Sequence, residues 1–214
     1  MKTTDWTKYY NAPYKTASLT RKITGRIIVE TLKKYFKHQK GIILTEIGGA
    51  NSAFLELLID ELNPSRYVII DNNLSGLEKT KQRIKKDYNV VLLNKDILNC
   101  DFENILSSSD LVLSIGLIEH FDKNGTQRAI KAHFDLLKPD GYAVITFPTP
   151  TFLYRIARFI AEKLGLWIFH DERPLLIEDV LETAMKYGEP VEYRIIWPII
   201  FTQGLVVFKK KQSS

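Results

Sequence analysis

The chain has a single cysteine, Cys100, among its 214 residues, and that scarcity excludes an internal disulfide and any cysteine-based metal cluster. Its four histidines, His38, His120, His133 and His170, are scattered without paired ligand spacing, so no metal is implied. No stretch is both apolar and long enough to span a bilayer, and the N-terminus has no apolar signal core, which makes the cytoplasm the expected location. Internal repeats and low-complexity segments are missing too. What is present is a 45% hydrophobic share and a 26% charged share, enough for one domain with a sizeable core. The net charge of +5 invites an anionic partner, but the basic residues are spread out. Lys79, Lys81, Arg83, Lys85 and Lys86 read as the solvated face of one helix, and Lys209-Lys210-Lys211 as a short basic tail.

The most informative segment is Leu44-Thr45-Glu46-Ile47-Gly48-Gly49-Ala50-Asn51-Ser52. The apolar run Ile42-Ile43-Leu44 ends there in an acid and four small residues, the pattern of a strand passing through a tight turn into a helix. Open α/β sheets bind nucleotide-like ligands at such turns. Gly48 and Gly49 let the backbone bend sharply and let a ligand approach without meeting a Cβ. The pattern repeats downstream. Tyr67-Val68-Ile69-Ile70 ends at Asp71, Val90-Val91-Leu92-Leu93 leads to Asn94-Lys95-Asp96, and Leu111-Val112-Leu113 ends at Ser114-Ile115-Gly116.

The acids recur at an equal interval (46, 71, 96), about the length of one strand, one helix and two short loops. In a parallel sheet with right-handed crossovers these strand ends share one rim. Two bland roles stay open: Asp71 before Asn72-Asn73, and Ser52 ahead of Glu56, each also read as helix N-caps. Helices are predicted from Thr20 to Phe36 and over 53–62, 74–86, 123–137, 151–164 and 177–187. Arg194-Ile195-Ile196-Trp197 and the run from Phe201 to Phe208 read as two closing strands.

These residues resemble the class I S-adenosylmethionine-dependent methyltransferases. The first motif of that family, an acid followed by alternating glycines, is similar to Glu46-Ile47-Gly48-Gly49-Ala50-Asn51-Ser52, with Ala50 and Ser52 standing where glycines are usual. The family's ribose-binding acid matches Asp71, next to Asn72, and its acid near the adenine amino group matches Asp96, next to Ile97. The segment after strand four resembles Ser114-Ile115-Gly116-Leu117-Ile118-Glu119-His120-Phe121, and the turn before strand five resembles Leu137-Lys138-Pro139-Asp140-Gly141. The likeness is strong over about residues 41–150 and weak in the tail. It implies a three-layer α/β/α Rossmann-like fold, with a mostly parallel seven-stranded sheet and an antiparallel last strand. It also implies S-adenosylmethionine as cofactor and S-adenosylhomocysteine as product. Glu46 and the backbone N–H groups of Gly48 to Ser52 are expected at the methionine end, Asp71 at the ribose, and Asp96 at the base.

The chain is expected to divide into an aromatic, helical lid (1–40) and a cofactor-binding core (41–214) within a single domain. Trp6, Tyr9, Tyr10 and Tyr14 crowd the leader, and rings so concentrated must pack on something, either the core or the substrate. Methyl transfer from a sulfonium is an in-line displacement that depends on acceptor positioning, helped by a base where the acceptor carries a proton. His120 is the base candidate, because imidazole titrates near neutral pH, and Glu119 can orient it. His170 and Arg173, in the charged run His170-Asp171-Glu172-Arg173, are further substrate candidates.

Ser114-Ile115-Gly116-Leu117 lacks the paired prolines of amino-directed base methyltransferases, and Cys100 lies outside the place that cytosine C5 chemistry requires. Nucleic acid is therefore not the expected partner. A small-molecule or glycan-like acceptor, methylated at oxygen, fits better. The apolar, arginine-bearing segment Phe152 to Phe169 reads as an amphipathic helix that is buried in the core, covers a hydrophobic pocket or touches a membrane, and the last two would suit a lipid-linked acceptor. Two alternatives remain: a nicotinamide-dependent oxidoreductase, which also uses a glycine turn and an acid after strand two, and a binding or scaffold domain that has lost the reaction.

Overall fold

The computed structural model describes residues 3–11, 17–99, 102, 104–196 and 202–212. Seven strands form one sheet: β1 (Ile43–Ile47), β2 (Arg66–Asp71), β3 (Val90–Asn94), β4 (Ser109–Ile115), β5 (Leu137–Pro148), β6 (Gly188–Ile196) and β7 (Gln203–Lys210). The helices are α1 (Trp6–Asn11), α2 (Ala17–Phe36), α3 (Leu55–Leu62), α4 (Leu74–Arg83), α5 (Lys123–Leu136), α6 (Phe152–Lys163) and α7 (Ile177–Ala184), with a 3-10 turn at Ile118–His120. The strand order is β3-β2-β1-β4-β5-β7-β6. β1 to β5 are parallel neighbours, and β7 runs antiparallel to both β5 and β6. This is the Rossmann-like methyltransferase architecture that the sequence led us to expect.

Alternation along the strands sorts the core into two layers, because successive side chains point to opposite faces. Val68, Ile70, Val112, Ala143 and Ile145 face α5 and α7, where Ala129, Ile130, Phe134 and Val180 meet them. Their neighbours Tyr67, Ile69, Leu111, Leu113 and Val144 face α2, α3 and α4, meeting Ile28, Leu32, Leu55, Leu58 and Leu77. Each fully buried leucine or isoleucine of this kind contributes about 1.5–3 kcal/mol. Ile28, Leu32 and Phe36 bury one face of α2 in the second layer, so that part of α2 belongs to the fold's scaffold, while Thr20, Arg21 and Thr24 of α2 and Trp6, Tyr9 and Tyr10 of α1 reach the rim of the sheet.

Helix starts follow their caps. Asn73 accepts from Gly76 N (2.8 Å) and Asp122 from Gly125 N (2.6 Å). The predicted helix over 177–187 ends earlier, at Ala184, and β6 begins at Gly188 rather than near Arg194. Gly188 passes beneath the Phe134 ring, where a Cβ would lie 2.5 Å from it, and Pro190 is tolerated because β6 is an edge strand. Tyr14, Cys100, Trp197, Pro198 and Phe201 lie outside the described residues. Among the described residues no helix is long and apolar enough to cross a membrane.

The chain runs outward from β1 to β2 and β3, then returns to place β4 on the other side of β1. That reversal opens a crevice at the carboxyl ends of β1 and β4, where open α/β sheets take their ligands.

Candidate active site

A cavity of about 740 Å³ occupies this crevice, within the range of small-molecule sites. On one side it is lined by the strand-end residues Glu46, Gly48, Ala50 to Ser52, Asp71, Asn72, Asp96 and Ile97. On the other lie Ile115 to Leu117, Glu119, His120, Phe169, Asp171 and Glu172.

The first side is held by its own hydrogen bonds. Gly48 adopts a left-handed φ of 75°, and a Cβ there would lie 2.9 Å from Leu117. Asn51, at φ 50°, takes the left-handed conformation that asparagine tolerates among L-residues. Ala50, where the family pattern has glycine, fits because α4 presents Gly76 opposite it: a Cβ on Gly76 would stand 2.7 Å from the Ala50 Cβ. Asp71 Oδ2 accepts from Ala50 N (3.0 Å) and Oδ1 from Asn73 N (2.7 Å), so the acid aims the glycine loop while its remaining lone pairs stay available. Glu46 is buried, accepting from Tyr67 OH (2.5 Å) and Ser52 Oγ (3.1 Å), and burial raises its pKa. Ser52 Oγ in turn accepts from Phe54 N (3.2 Å) at the start of α3. Asp96 accepts from Leu98 N (2.9 Å) and Asn99 Nδ2 (2.7 Å).

The second side carries titratable groups in contact. His120 Nδ1 lies 2.8 Å from Asp171 Oδ1, and Thr4 N donates to Asp171 Oδ2 at 3.1 Å, with the Thr4 hydroxyl bonded to the same carboxylate. Burial lowers the His120 pKa against the opposing pull of Asp171, so the imidazole is neutral near pH 7. Asp171 itself, despite burial, is held below the usual range by the Thr4 and His120 hydrogen bonds. His120 Nε2 has no hydrogen-bond partner among the described residues, and stands 3.7 Å from Glu119 Oε1.

Glu119 is 2% exposed, and its Oε2 has no hydrogen-bond partner among the described residues. Burial, then the charges of Glu172 and Asp171, push its carboxyl well above the ordinary range. Glu172 is raised to about 7 by burial, against the Tyr154 hydrogen bond and the Arg158 charge. Glu119, His120 and Glu172 bring ligand-type atoms within 4.8 Å of one another, a set able to hold a divalent cation; Tyr154 and Arg158 already engage Glu172.

α1 touches both sides. Trp6 meets the His120 ring edge-on (centroids 4.9 Å) and lies 5.9 Å from Phe169. Tyr10 packs where a Gly76 Cβ would sit, and its hydroxyl pKa is raised by burial and then by the charge of Asp71. Tyr9 accepts from Arg21 (2.9 Å), and all three rings line the cavity.

Four expected site residues face elsewhere. Ser114 is buried against His133 Nε2 (2.8 Å), bonded into α5 behind the sheet. Gly49 leaves room for the Glu46 carboxyl, which would lie 2.8 Å from a Cβ there. His170 is exposed, and Arg173 turns away to donate to Thr126 Oγ1 (2.8 Å). In that charged run the residues that line the cavity are Asp171 and Glu172. Thr4 was not expected there, and nothing in its local sequence marks it, whereas Leu117 lies in the family-like segment after strand four and Tyr154 and Phe169 lie in the segment Phe152 to Phe169 read as able to cover a pocket.

The donor set fits an adenosine-bearing sulfonium: a carboxylate at the second strand end, a glycine loop with no room for a Cβ at Gly48, and a second acid beyond β3. Fold and site together have the form that the sequence resemblance implies, a Rossmann-like sheet with an acid-lined crevice at its switch point. Residues 45–143, just under half of the chain, match the family model for a methyltransferase domain. That match, together with the shared fold, supports the methyltransferase reading over the nicotinamide and non-catalytic alternatives.

Among solved structures, the N-methyltransferase NodS from Bradyrhizobium japonicum WM9, in complex with S-adenosyl-L-homocysteine, is similar at 18% identity and TM-score 0.66, covering 87% of each chain. The putative methyltransferase in complex with the Haloferax volcanii Trm112 activator is similar at 12% identity and TM-score 0.72, covering 99% of this chain and 100% of that one. The 1,6-didemethyltoxoflavin-N1-methyltransferase of Burkholderia thailandensis is similar at 13% identity and TM-score 0.71, covering 97% and 86%. At such identities the likeness is one of fold. No curated protein sequence matches the chain.

Proposed function

We propose that the protein methylates a hydroxyl oxygen of a small or glycan-like acceptor, which can be lipid-linked, with His120 as general base. The observation that carries this reading is the Asp171–His120 contact of 2.8 Å inside the cavity, on a histidine whose Nε2 has no hydrogen-bond partner among the described residues. An amine acceptor can react through its own lone pair once deprotonated by solvent, whereas a hydroxyl gains most from a base that removes its proton as the new bond forms. When bound, S-adenosylmethionine supplies the methyl group on an activated sulfonium: the S–CH3 bond breaks, an O–CH3 bond forms, and the electron pair stays on sulfur.

The chain's own groups supply the rest. Asp71 and the loop from Gly48 to Ser52 hold the nucleoside and methionine ends, and Asp96 and Ile97 flank the base. His120 takes the hydroxyl proton at Nε2, while Asp171 fixes the ring by accepting from Nδ1–H and stabilises the imidazolium that forms. Trp6, Tyr9 and Tyr10 close the site over the reacting groups and keep water out.

The test is release of S-adenosylhomocysteine on a panel of hydroxyl acceptors set beside matched amines, with the product mass and attachment atom determined. Methylated hydroxyls, and their loss in His120→Ala, are expected. Turnover on amines alone, or undiminished turnover in that variant, overturns the reading.

A further inference from the structure

α6 is an amphipathic helix turned inside out. Phe152, Ile156, Phe159 and Ile160 fall at the spacing that places side chains on one helical face, and all are exposed, Phe152 at 77% and Phe159 at 60%. Leu164 (66%) and Leu166 extend the face past the helix end. Tyr154 is the helix's one buried side chain. A polar network holds it in place: the Tyr154 hydroxyl bonds Glu172, Arg158 donates to the Glu172 carbonyl at 3.1 Å, and Arg158 lies over the Trp167 ring at 5.0 Å. Ordinary surface helices bury this stripe, so contiguous large apolar side chains on the outside mark a contact surface.

Charge identifies the occupant. The helix's acid, Glu162, is neutralised by Arg158 at 2.8 Å. Arg155 is exposed with no ion-pair partner among the described residues, and Lys163 lies beside the apolar face, 5.6 Å from the Phe159 ring. A second copy of the face, brought up around a two-fold axis, would set like charges together. An anionic lipid surface offers acyl chains to the rings and phosphates to the cations. The face is also continuous with the active site, since Ala161, Leu166 and Trp167 line the cavity.

We propose that α6 and the turn through Leu166 dock on an anionic bilayer, laying the mouth of the active-site cavity at the lipid surface. The acceptor half of the cavity then draws its substrate from the membrane, a consequence that rests on the methyl-transfer reading; the docking itself does not.

The test is co-sedimentation of the full chain with phosphatidylcholine vesicles, with and without phosphatidylglycerol, at low and physiological salt. Binding is expected to vesicles containing phosphatidylglycerol and to be weak on phosphatidylcholine alone. Phe152→Ser/Phe159→Ser should reduce partitioning about tenfold or more, and Arg155→Gln/Lys163→Gln about tenfold together, the latter effect shrinking as salt rises. Because these side chains are exposed and outside the cavity, melting temperature and S-adenosylhomocysteine affinity should match the parent, so a loss of binding is not a loss of fold. Equal partitioning of parent and double-serine variant, or no partitioning, overturns the proposal. A concentration-dependent dimer that Phe159→Ser abolishes, without vesicle binding, would assign the face to a second copy instead. Since vesicle binding needs neither cofactor nor acceptor, its failure leaves the methyl-transfer reading standing, and the reverse also holds.

Discussion

The two sides of the cavity are built by different physics. The side formed by β1, β2 and β3 is locally satisfied: Asp71 accepts from two backbone N–H groups, Glu46 from Tyr67 and Ser52, and Asp96 from Leu98 and Asn99. The side formed by the turn after β4 and the loop after α6 is assembled from afar, through Thr4 to Asp171, Asp171 to His120, and Arg173 N to the Glu119 carbonyl (2.9 Å). Burial displaces pKa values on both sides: Glu46 and Asp71 are raised on the first, while His120 is lowered and Glu119 and Glu172 are raised on the second. A region that only binds can be satisfied in the free protein. On the reading that His120 is the base, the second side must also move a proton, and there Glu119 Oε2 and His120 Nε2 stand without hydrogen-bond partners among the described residues.

Substitutions on each side should therefore separate rate from affinity. The largest effect is expected for His120→Ala, a fall in kcat of about 10²- to 10⁴-fold with S-adenosylhomocysteine affinity unchanged by calorimetry. An equal loss of affinity would erase the distinction between the two sides. Asp71→Ala should do the opposite, weakening cofactor affinity by about 10- to 100-fold, since it removes charge-assisted hydrogen bonds. Asp171→Asn tests the proton itself. Losing the carboxylate removes a stabiliser of the imidazolium, so the His120 pKa falls further. The active form is the neutral ring, so the acid limb of the pH–kcat profile should move to lower pH while kcat on the plateau drops by less than in His120→Ala.

Smaller effects probe the packing. Gly76→Ala forces a Cβ against Ala50 and Tyr10 and should destabilise by about 1–3 kcal/mol in urea titration, with Ala50→Gly in the same chain recovering part of it. Finally, the Glu172 carboxyl is raised from 4.5 to about 7 in the fold, so the folded state holds its proton more tightly than the unfolded chain. That stability is fully present below the unfolded value and is lost as pH rises through about 7, an effect on the order of a few kcal/mol. Glu172→Gln should flatten this slope in urea midpoints taken between pH 5 and pH 8.

The fold was legible because its signals are local. Uninterrupted apolar runs such as Tyr67 to Ile70 and Leu111 to Leu113, and small or polar residues at each strand end, need only neighbouring residues to be read. The β6 boundary was less legible, since it depends on Gly188 meeting Phe134 across the layer. The site divides in the same way. Asp71, Asp96 and the glycine loop are strand-end features, whereas Ser114 carries a strand-end position but turns into α5, because His133 offers a buried partner there. In the loop from His170 to Arg173, four polar residues in a row give no sign of which face inward, and chain direction at that point is set by the Arg173 N to Glu119 O bond.

From the amino-acid order alone came the parallel sheet, the shared rim and the row of acids along it, because strand period, turn chemistry and crossover handedness are properties of the chain taken a few residues at a time. The pairing of His120 with Asp171, the span of α1 from Gly76 to His120, and the outward turn of α6 were decided in three dimensions. Each joins segments far apart in the chain, and such contacts follow from which surfaces meet once the sheet has formed.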